Sequence, residues 1–490
     1  MEKLKTKEVK ELEDLGKEEI NESSPLKCDH ETIEKKEKSE KLSFIQRLKI
    51  IKANTTVEPI LACYIMPSVL ASLATQNLNL EKACLVNLNY SSEICDALKS
   101  RQTENYTEYE EKVQTLIAGI QAWKNVVQTA IPVLIILFVG AWSDKTGKRK
   151  ACILMPIVGE FITSLVGGWY TNFIGVFSYI GDITSPEDRT YRIGIANLCM
   201  SLGYPIGSAL SGVLLTWIGY YGIFSLSASL YLFSLVYGYF YLEDPSPKPR
   251  DKKYLGVFGF FREFFDVGLV METFRVAFKK DDGNRRLRVC LLLIVVCVVF
   301  GPMQGEFSIL YLFARFRFNW DEVKFSMWST YSIITNLLGT AFSISLFSNY
   351  LKLDDTLLGI ISNMSKIIAS FAYAFARNDF EIYLAPLLEI LNGTSFIAMR
   401  SIATKLVSGE EFGKVNSLFG LAEAMTPLIY GPLYSKVYVA TLNVLPGAVF
   451  LLGALLTLPA IAIFGWLYLE HKKDRLKNNQ DIKIGDKDKC

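Results

Sequence analysis

The stretch GAWSDKTGKRK, residues 140–150, places one aspartate and four basic residues between two apolar segments. IPVLIILFV precedes it at 131–139, and ACILMPIVG follows it at 151–159. Lys and Arg concentrate near the cytoplasmic ends of membrane-crossing segments. The stretch therefore predicts a cytosolic turn between two transmembrane helices.

The composition of the chain indicates a polytopic membrane protein surrounded by a lipid bilayer. Half of its 490 residues are hydrophobic, and they include runs of about 20 residues, the length that crosses the hydrocarbon core. The net charge of +2 gives no general attraction to nucleic acid. The nine cysteines and two histidines show no metal-binding spacing, so we expect no metal or other cofactor and no enzymatic activity.

The apolar segments fall into two sets, separated by a hydrophilic stretch with an excess of basic residues. The first two spans are predicted at 57–76 and 123–142, and further spans near 193–215, 220–241, 289–313, 325–347, 356–376, 381–402, 415–437 and 445–468. Together they predict an all-α membrane protein with two halves of about six spans each. The segments are a disordered cytosolic tail (1–50), an N-terminal half (51–242) with an extracellular loop (78–118), a cytosolic connector (243–288), a C-terminal half (289–468) and a second cytosolic tail (469–490).

The predicted extracellular loop carries two acceptor sequons, at Asn89 and Asn105. Glycosylation on this side agrees with a cytosolic turn at 140–150. The same loop contains Cys84 and Cys95, which form either a local disulfide or two free thiols.

The segment from Ala151 to Gly181 is too short for the two spans that the topology requires. It offers about 31 apolar residues, whereas two spans of about 20 with a turn need more than 40. A single span would invert every later loop and expose the basic connector outside, against the positive-inside rule. We therefore expect shortened third and fourth helices, from a shortened isoform or gene model.

The spacing of Gly140, Asp144, Gly147, Lys148 and Arg149 resembles the signature between the second and third helices of the major facilitator superfamily. The resemblance implies the major facilitator fold and a conformational latch that forms and breaks as the two halves rock. The alternative is a plain positive-inside turn.

A narrower resemblance extends from about Val57 to Trp466. VEPI at 57–60, FSYIGDITSPEDRTYRIGIAN at 177–197, IAMRSIATKLV at 397–407 and GKVNSLFGLAEA at 413–424 are similar to the proton-coupled folate transporter family (solute carrier family 46), above all its arthropod members.

Some functional positions of that family carry over to this chain. The resemblance implies that Arg192 belongs to the latch and that Arg400 handles substrate and protons. Asn197 stands where the family has a coupling glutamate, and the only histidines, His30 and His471, lie in the predicted tails. Folate specificity and the family's coupling route are therefore both in question.

Ionisable residues inside spans are unfavourable in the bilayer and mark functional sites. The candidates are Glu160, Glu306, Lys366, Glu389, Arg400 and Glu423. Glu389 and Arg400, about three helical turns apart, would share one helix face. Arg400 is the candidate for an anionic group of the substrate. Glu306 is the candidate proton-linked acid, at an expected helix break beside Pro302, although Lys366 could instead form a structural pair with a glutamate.

The resemblance implies a secondary transporter of small organic anions, folate-like or related, coupled to protons and working by alternating access. The alternative function is a non-transporting receptor or scaffold that retains the fold. We expect a multi-pass protein of the plasma membrane, with the lysosomal membrane as the alternative.

Overall fold

The structure is a computed structural model that describes residues 56–159, 168–184, 189–244, 257–279, 284–406 and 409–487. Regular structure in these ranges is helical. The predicted tail at 1–50 lies outside the described residues.

The helices of the N-terminal half follow the predicted order. They are α1 Glu58–Lys82, α2 Ser92–Lys99, α3 Thr107–Thr146, α4 Arg149–Gly159, α5 Gly168–Ile183 and α6 Arg189–Tyr241. The short α2 lies in the predicted extracellular loop.

Two connector helices and the C-terminal half complete the described chain. They are α7 Val257–Phe264, α8 Val267–Ala277, α9 Arg285–Phe318, α10 Glu322–Ser343, α11 Asp355–Phe375, α12 Asp379–Leu388, α13 Thr394–Leu406, α14 Gly409–Thr441 and α15 Ala448–Lys487. Among the described residues, seven helices are long and apolar enough to cross a membrane.

Helix α6 contains two of the predicted spans, and its backbone bends at one glycine between them. Gly219 has φ 65° and ψ −173°, a conformation that a residue with a side chain rarely adopts. The bend falls between the spans predicted at 193–215 and 220–241.

A glycine in the turn at 140–150 terminates α3. Gly147 has φ 69° and caps the helix, with its N–H donating to the carbonyl of Ser143 at 2.8 Å. A glycine in the left-handed region is the usual helix terminator. Gly147 therefore sets the reversal between α3 and α4.

The described parts of α4 and α5 are short, in agreement with the prediction. Helix α4 has 11 residues and α5 has 16, so they rise about 16 and 24 Å, less than the roughly 30 Å of a hydrocarbon core. Glu160 lies between them at 160–167, outside the described residues.

The most extensive contacts between the two halves are those of α3 with α14 and of α6 with α10. Within the halves, α1 packs on α6 and α11 packs on α15. We call the end of the bundle with residues 83–106 the loop end, and the end with residues 257–279 the connector end.

The connector forms two helices, α7 and α8. Asp266 separates α7 from α8 and accepts a hydrogen bond from Lys145 Nζ at 3.1 Å. The Trp142 ring lies 5.7 Å from the rings of Phe260 and Phe264. The connector is thus fastened to the end of α3.

Two expectations about the C-terminal half were wrong. Helix α9 runs unbroken past Pro302, so Glu306 lies within a continuous helix. The predicted span 381–402 is instead broken, because α12 ends at Leu388 and α13 begins at Thr394. Glu389 caps α12, and it therefore does not share a helix face with Arg400.

Candidate functional site

A cavity of about 600 Å³ lies between the two halves. Helices α1, α3 and α6 line it from the N-terminal half, and α9 and α14 from the C-terminal half. Its lining consists of Ser68, Ala71, Ser72, Thr75, Gln76, Gln121, Lys124, Asn125, Phe224, Ser227, Ala228, Tyr231, Gln304, Phe307, Ser308, Pro427 and Gly431. Most of these side chains are neutral hydrogen-bonding groups, and three are aromatic.

Lys124 is the ionisable side chain of this described lining. Within the ranges that the structure describes, no carboxylate pairs with its ammonium group. Lys124 is half-buried, and an ammonium group with reduced access to water and no counter-ion favours a negatively charged occupant of the cavity.

Lys124 was not among the predicted residues, because the second span was expected to begin at Trp123. Helix α3 instead begins at Thr107, so Lys124 lies about 26 Å along it. A sequence signal was available: Gln121, Lys124 and Asn125 follow the spacing of one helix face.

A buried charged cluster connects three elements of the C-terminal half. Lys366 Nζ donates to Glu306 Oε2 at 2.6 Å and to Glu389 Oε1 at 3.0 Å. Asn392 also donates to Glu389 Oε1, at 2.9 Å. Two carboxylates share one ammonium group, so the cluster has one negative charge in excess when all three groups are ionised.

The cluster and the cavity lie on different faces of α9. Gln304, Phe307 and Ser308 line the cavity, whereas Glu306 lies among them in sequence but is turned away by the helical period. A change in the tilt or rotation of α9 would therefore act on both.

Arg400 and Glu423 form a second ion pair. Arg400 Nη2 donates to Glu423 Oε1 at 2.9 Å, across α13 and α14. The Arg400 side chain is 48% exposed, so it is open to other partners. The described lining of the cavity does not include it.

The residues of the 140–150 signature make contacts mainly within their own half. Arg149 is buried; its Nε donates to Asp182 Oδ2 and its Nη1 to Ser143 Oγ, both at 2.8 Å. Gly140 lies in α3 with open space beside it. Lys148 is half-buried, and the side chain of Asp144 lies outside the described residues.

Arg192 joins α6 to the start of α1. Its Nη2 lies 3.3 Å from Glu58 Oε1 and donates to Thr56 Oγ1 at 3.0 Å. The carboxylate of Glu58 also accepts from the N–H groups of Thr56 and Val57. The latch role of Arg192 stays a prediction, as does that of the signature.

The remaining predicted residues lie at exposed positions or at the loop end. Asn197 is exposed on α6, and the sequon residues Asn89 and Asn105 are exposed in the loop. Cys84 and Cys95 form a disulfide bond with Cα atoms 5.9 Å apart. In the searched, described residues, no group of three or more His, Cys, Asp or Glu could hold a metal ion.

Two curated relatives resemble most of the chain. The probable peptidoglycan muropeptide transporter SLC46 of Drosophila melanogaster is 23% identical over 86% of this chain and 86% of its own length. The proton-coupled folate transporter of Rattus norvegicus is 24% identical over 72% of this chain and 79% of its own. Both agree with the expected resemblance to solute carrier family 46.

A solved structure shows the same fold. The crystal structure of the human organic anion transporter MFSD10 (TETRAN) matches 83% of this chain and 98% of its own, with a TM-score of 0.52 and 16% identity. The sequence profile of the Major Facilitator Superfamily matches residues 113–388, more than half of the chain. Members of this superfamily are transporters and not enzymes, so the chain is a multi-pass membrane transporter that belongs to the Major Facilitator Superfamily.

Proposed function

We propose that this transporter moves a small organic anion by alternating access, with Lys124 as its anion-binding group. The observation that carries the proposal is an ammonium group that has no carboxylate partner among the described residues, in a polar cavity between the two halves. The half-exposed Arg400 is the candidate for a second contact, because a substrate carboxylate could take the place of Glu423.

The lining also favours a class of anion. One cation faces many amide and hydroxyl side chains, so the cavity suits one negative charge on a molecule rich in hydrogen-bonding groups. A dicarboxylate such as a folate would need a second cation, and Arg400, the candidate for it, lies outside the described lining. The names of the relatives include both a muropeptide and a folate transporter, and the lining favours the muropeptide-like solute.

The test is uptake of both solute types into proteoliposomes by Lys124→Gln. We expect its KM for the anion to rise about tenfold or more, as for the loss of a hydrogen bond to a charged group. Lys112→Gln is the matched control, because Lys112 lies on the same helix and is exposed beside Glu108. Equal KM values in the two variants would remove Lys124 from the site.

We further propose that the cluster of Glu306, Lys366 and Glu389 couples transport to protons. Its excess negative charge can accept one proton, and α9 links it to the cavity wall. No histidine is needed for this coupling, since a carboxylate of the cluster can itself take up the proton.

Proton coupling is tested with Glu306→Gln, which removes the titrating group but keeps its shape. We expect uptake driven by an inward proton gradient to fall, while exchange of labelled for unlabelled solute at equal pH continues. Loss of both activities with normal folding would contradict a coupling role.

Absence of flux for every anion, together with solute binding, would instead support the alternative function, a non-transporting receptor or scaffold. For the location we propose the plasma membrane, and surface biotinylation distinguishes it from the lysosomal membrane.

A further inference from the structure

A buried ionic network joins the two halves at the loop end. Arg315 of α9 donates from Nε to Glu110 Oε1 of α3 at 3.0 Å. Its Nη2 donates to the carbonyl of Leu98 in α2 at 2.8 Å. Arg315 and Glu110 are both almost fully buried. One arginine of the C-terminal half therefore holds two elements of the N-terminal half.

A second arginine binds the loop to the same network. Arg101 Nη2 donates to the carbonyl of Arg315 at 2.6 Å, and its Nη1 lies 3.3 Å from Glu110 Oε1. Asn319 Nδ2 donates to the carbonyl of Arg101 at 2.8 Å. The segment that follows α2 is thus fixed to the end of α9.

The disulfide bond determines where α2 can lie. Cys84 follows the end of α1, and Cys95 lies within α2, so the bond ties the short helix to the bundle. An eight-residue helix is not stable in isolation. The carbonyl of Leu98 therefore reaches Arg315 because the disulfide and the network together position α2.

Neighbouring hydrogen bonds extend this closure around the loop end. Tyr311 Oη donates to Asn77 Oδ1 at 2.5 Å, and Tyr438 Oη donates to Gln114 Oε1 at 3.1 Å. Each bond joins one half to the other. Lys124 lies about 21 Å farther along α3 than Glu110, so this layer separates the cavity from the loop end.

The network contains an imbalance of charge that limits the stability of the closed state. Two guanidinium groups face one carboxylate, and Glu110 Oε2 is buried without a hydrogen-bond partner among the described residues. Burial, together with the neighbouring Arg315 charge, lowers the pKa of Arg101. An excess positive charge in a buried site weakens the closed state.

We propose that α2, tied by the Cys84–Cys95 disulfide, is a strut of a gate at the loop end, and that Glu110 is the positioning residue that keeps this gate shut. The inference rests on the proposed alternating-access function and assigns its regulation to this loop. Loss of Glu110 or of the disulfide shifts the protein towards a state whose cavity is open at the loop end.

The test measures access to the cavity and needs no substrate. Ser72→Cys, in the cavity lining, is the reporter in a background where the seven cysteines other than Cys84 and Cys95 are replaced by serine. A membrane-impermeant thiol reagent is applied to intact cells, from the side of the sequon loop. Because no solute is involved, labelling can respond even if uptake of every tested anion fails.

Glu110→Gln should label about tenfold faster or more, since it weakens hydrogen bonds to two charged groups. Glu108→Gln is the matched control, because Glu108 is exposed on the same helix and pairs with the exposed Lys112. Equal rates for the two variants would overturn the proposal. The Cys84→Ser/Cys95→Ser variant should label faster than the parent, and an unchanged rate would remove α2 from the gate.

A surface cross-link keeps the proposal testable if the buried variants fail to fold. Thr103 Oγ1 and Asn319 Oδ1 lie 3.2 Å apart at exposed positions on the two sides of the gate. Oxidation of a Thr103→Cys/Asn319→Cys variant, before the reagent is added, should abolish the remaining labelling of the reporter. Labelling at the same rate in cross-linked and uncross-linked protein would contradict a gate at this place.

Discussion

The ammonium group of Lys366 lies 2.6 Å from the carboxylate of Glu306, although 60 residues separate them in sequence. Both side chains are less than 10% exposed. Each group therefore depends on the other for compensation of its charge, and Glu389 depends on the same lysine.

Replacement of Lys366 alone should destabilise the protein strongly. Lys366→Met leaves two carboxylates without their cation, and breaking a buried pair in this way costs about 3–5 kcal/mol. The measurement is thermal unfolding in detergent. The triple variant Lys366→Met/Glu306→Gln/Glu389→Gln should recover most of the loss, and a triple variant as unstable as the single one would show that charge is not the cause.

Gly453 should not tolerate a methyl group. A Cβ at this position would overlap Glu306 Oε1 and lie 3.0 Å from Tyr434 Oη, so Gly453→Ala must push the buried carboxylate aside. We expect a destabilisation of about 1–3 kcal/mol. Gly465→Ala on the same helix is the control, because a Cβ there meets nothing within 4 Å. Equal melting temperatures of the two variants would contradict the packing described.

Asp354 should add stability that disappears in acid. Burial opposes its ionisation, but hydrogen bonds from Thr356 and the His471 imidazole lower the pKa of Asp354 below its ordinary value. A lowered pKa in the folded state gives stability that is present above the unfolded pKa of about 3.9 and is lost as the pH falls through the folded pKa.

Asp354→Asn isolates this contribution. Asparagine caps a helix about as well as aspartate, and its Oδ1 can still accept from Thr356, but its amide cannot accept from His471 Nδ1, which lies 2.6 Å from Asp354 Oδ2. We expect a lower melting temperature than the parent near pH 7, and a difference that shrinks below about pH 4. A difference that is constant with pH would exclude this carboxylate as its source.

Arg400 should contribute to anion binding through its charge and its planar shape. Arg400→Ala is expected to raise the KM for an anionic solute, and Arg400→Lys should restore only part of the affinity, because lysine cannot form two parallel hydrogen bonds to a carboxylate. Lys405→Ala is the control, since Lys405 is more exposed on the same helix and pairs with Asp355. Normal uptake by Arg400→Ala, with normal surface expression, would remove Arg400 from the site.

Several features of the site were missed or misplaced in the prediction from sequence. Lys124 was missed because hydropathy places the start of a span at its first apolar residue, whereas α3 begins at Thr107. Glu389 and Arg400 were placed on one face because a hydropathy profile does not show the break between α12 and α13. Glu306 and Glu389 could be named as candidates from the sequence. Their pairing with one lysine, however, depends on how α9 and α11 pack.

The sequence by itself determined the membrane class, the two halves, the turn at 140–150 and the short α4–α5 hairpin. These features follow from the length of the apolar segments, from the spacing of Gly147 and its basic neighbours, and from the number of residues between the predicted turns. All three are local properties of the sequence. Only the tertiary structure decided which charges meet. Arg315 and Glu110 are 205 residues apart, and their contact depends on the packing of the two halves and on a disulfide-tied loop, which no local pattern encodes.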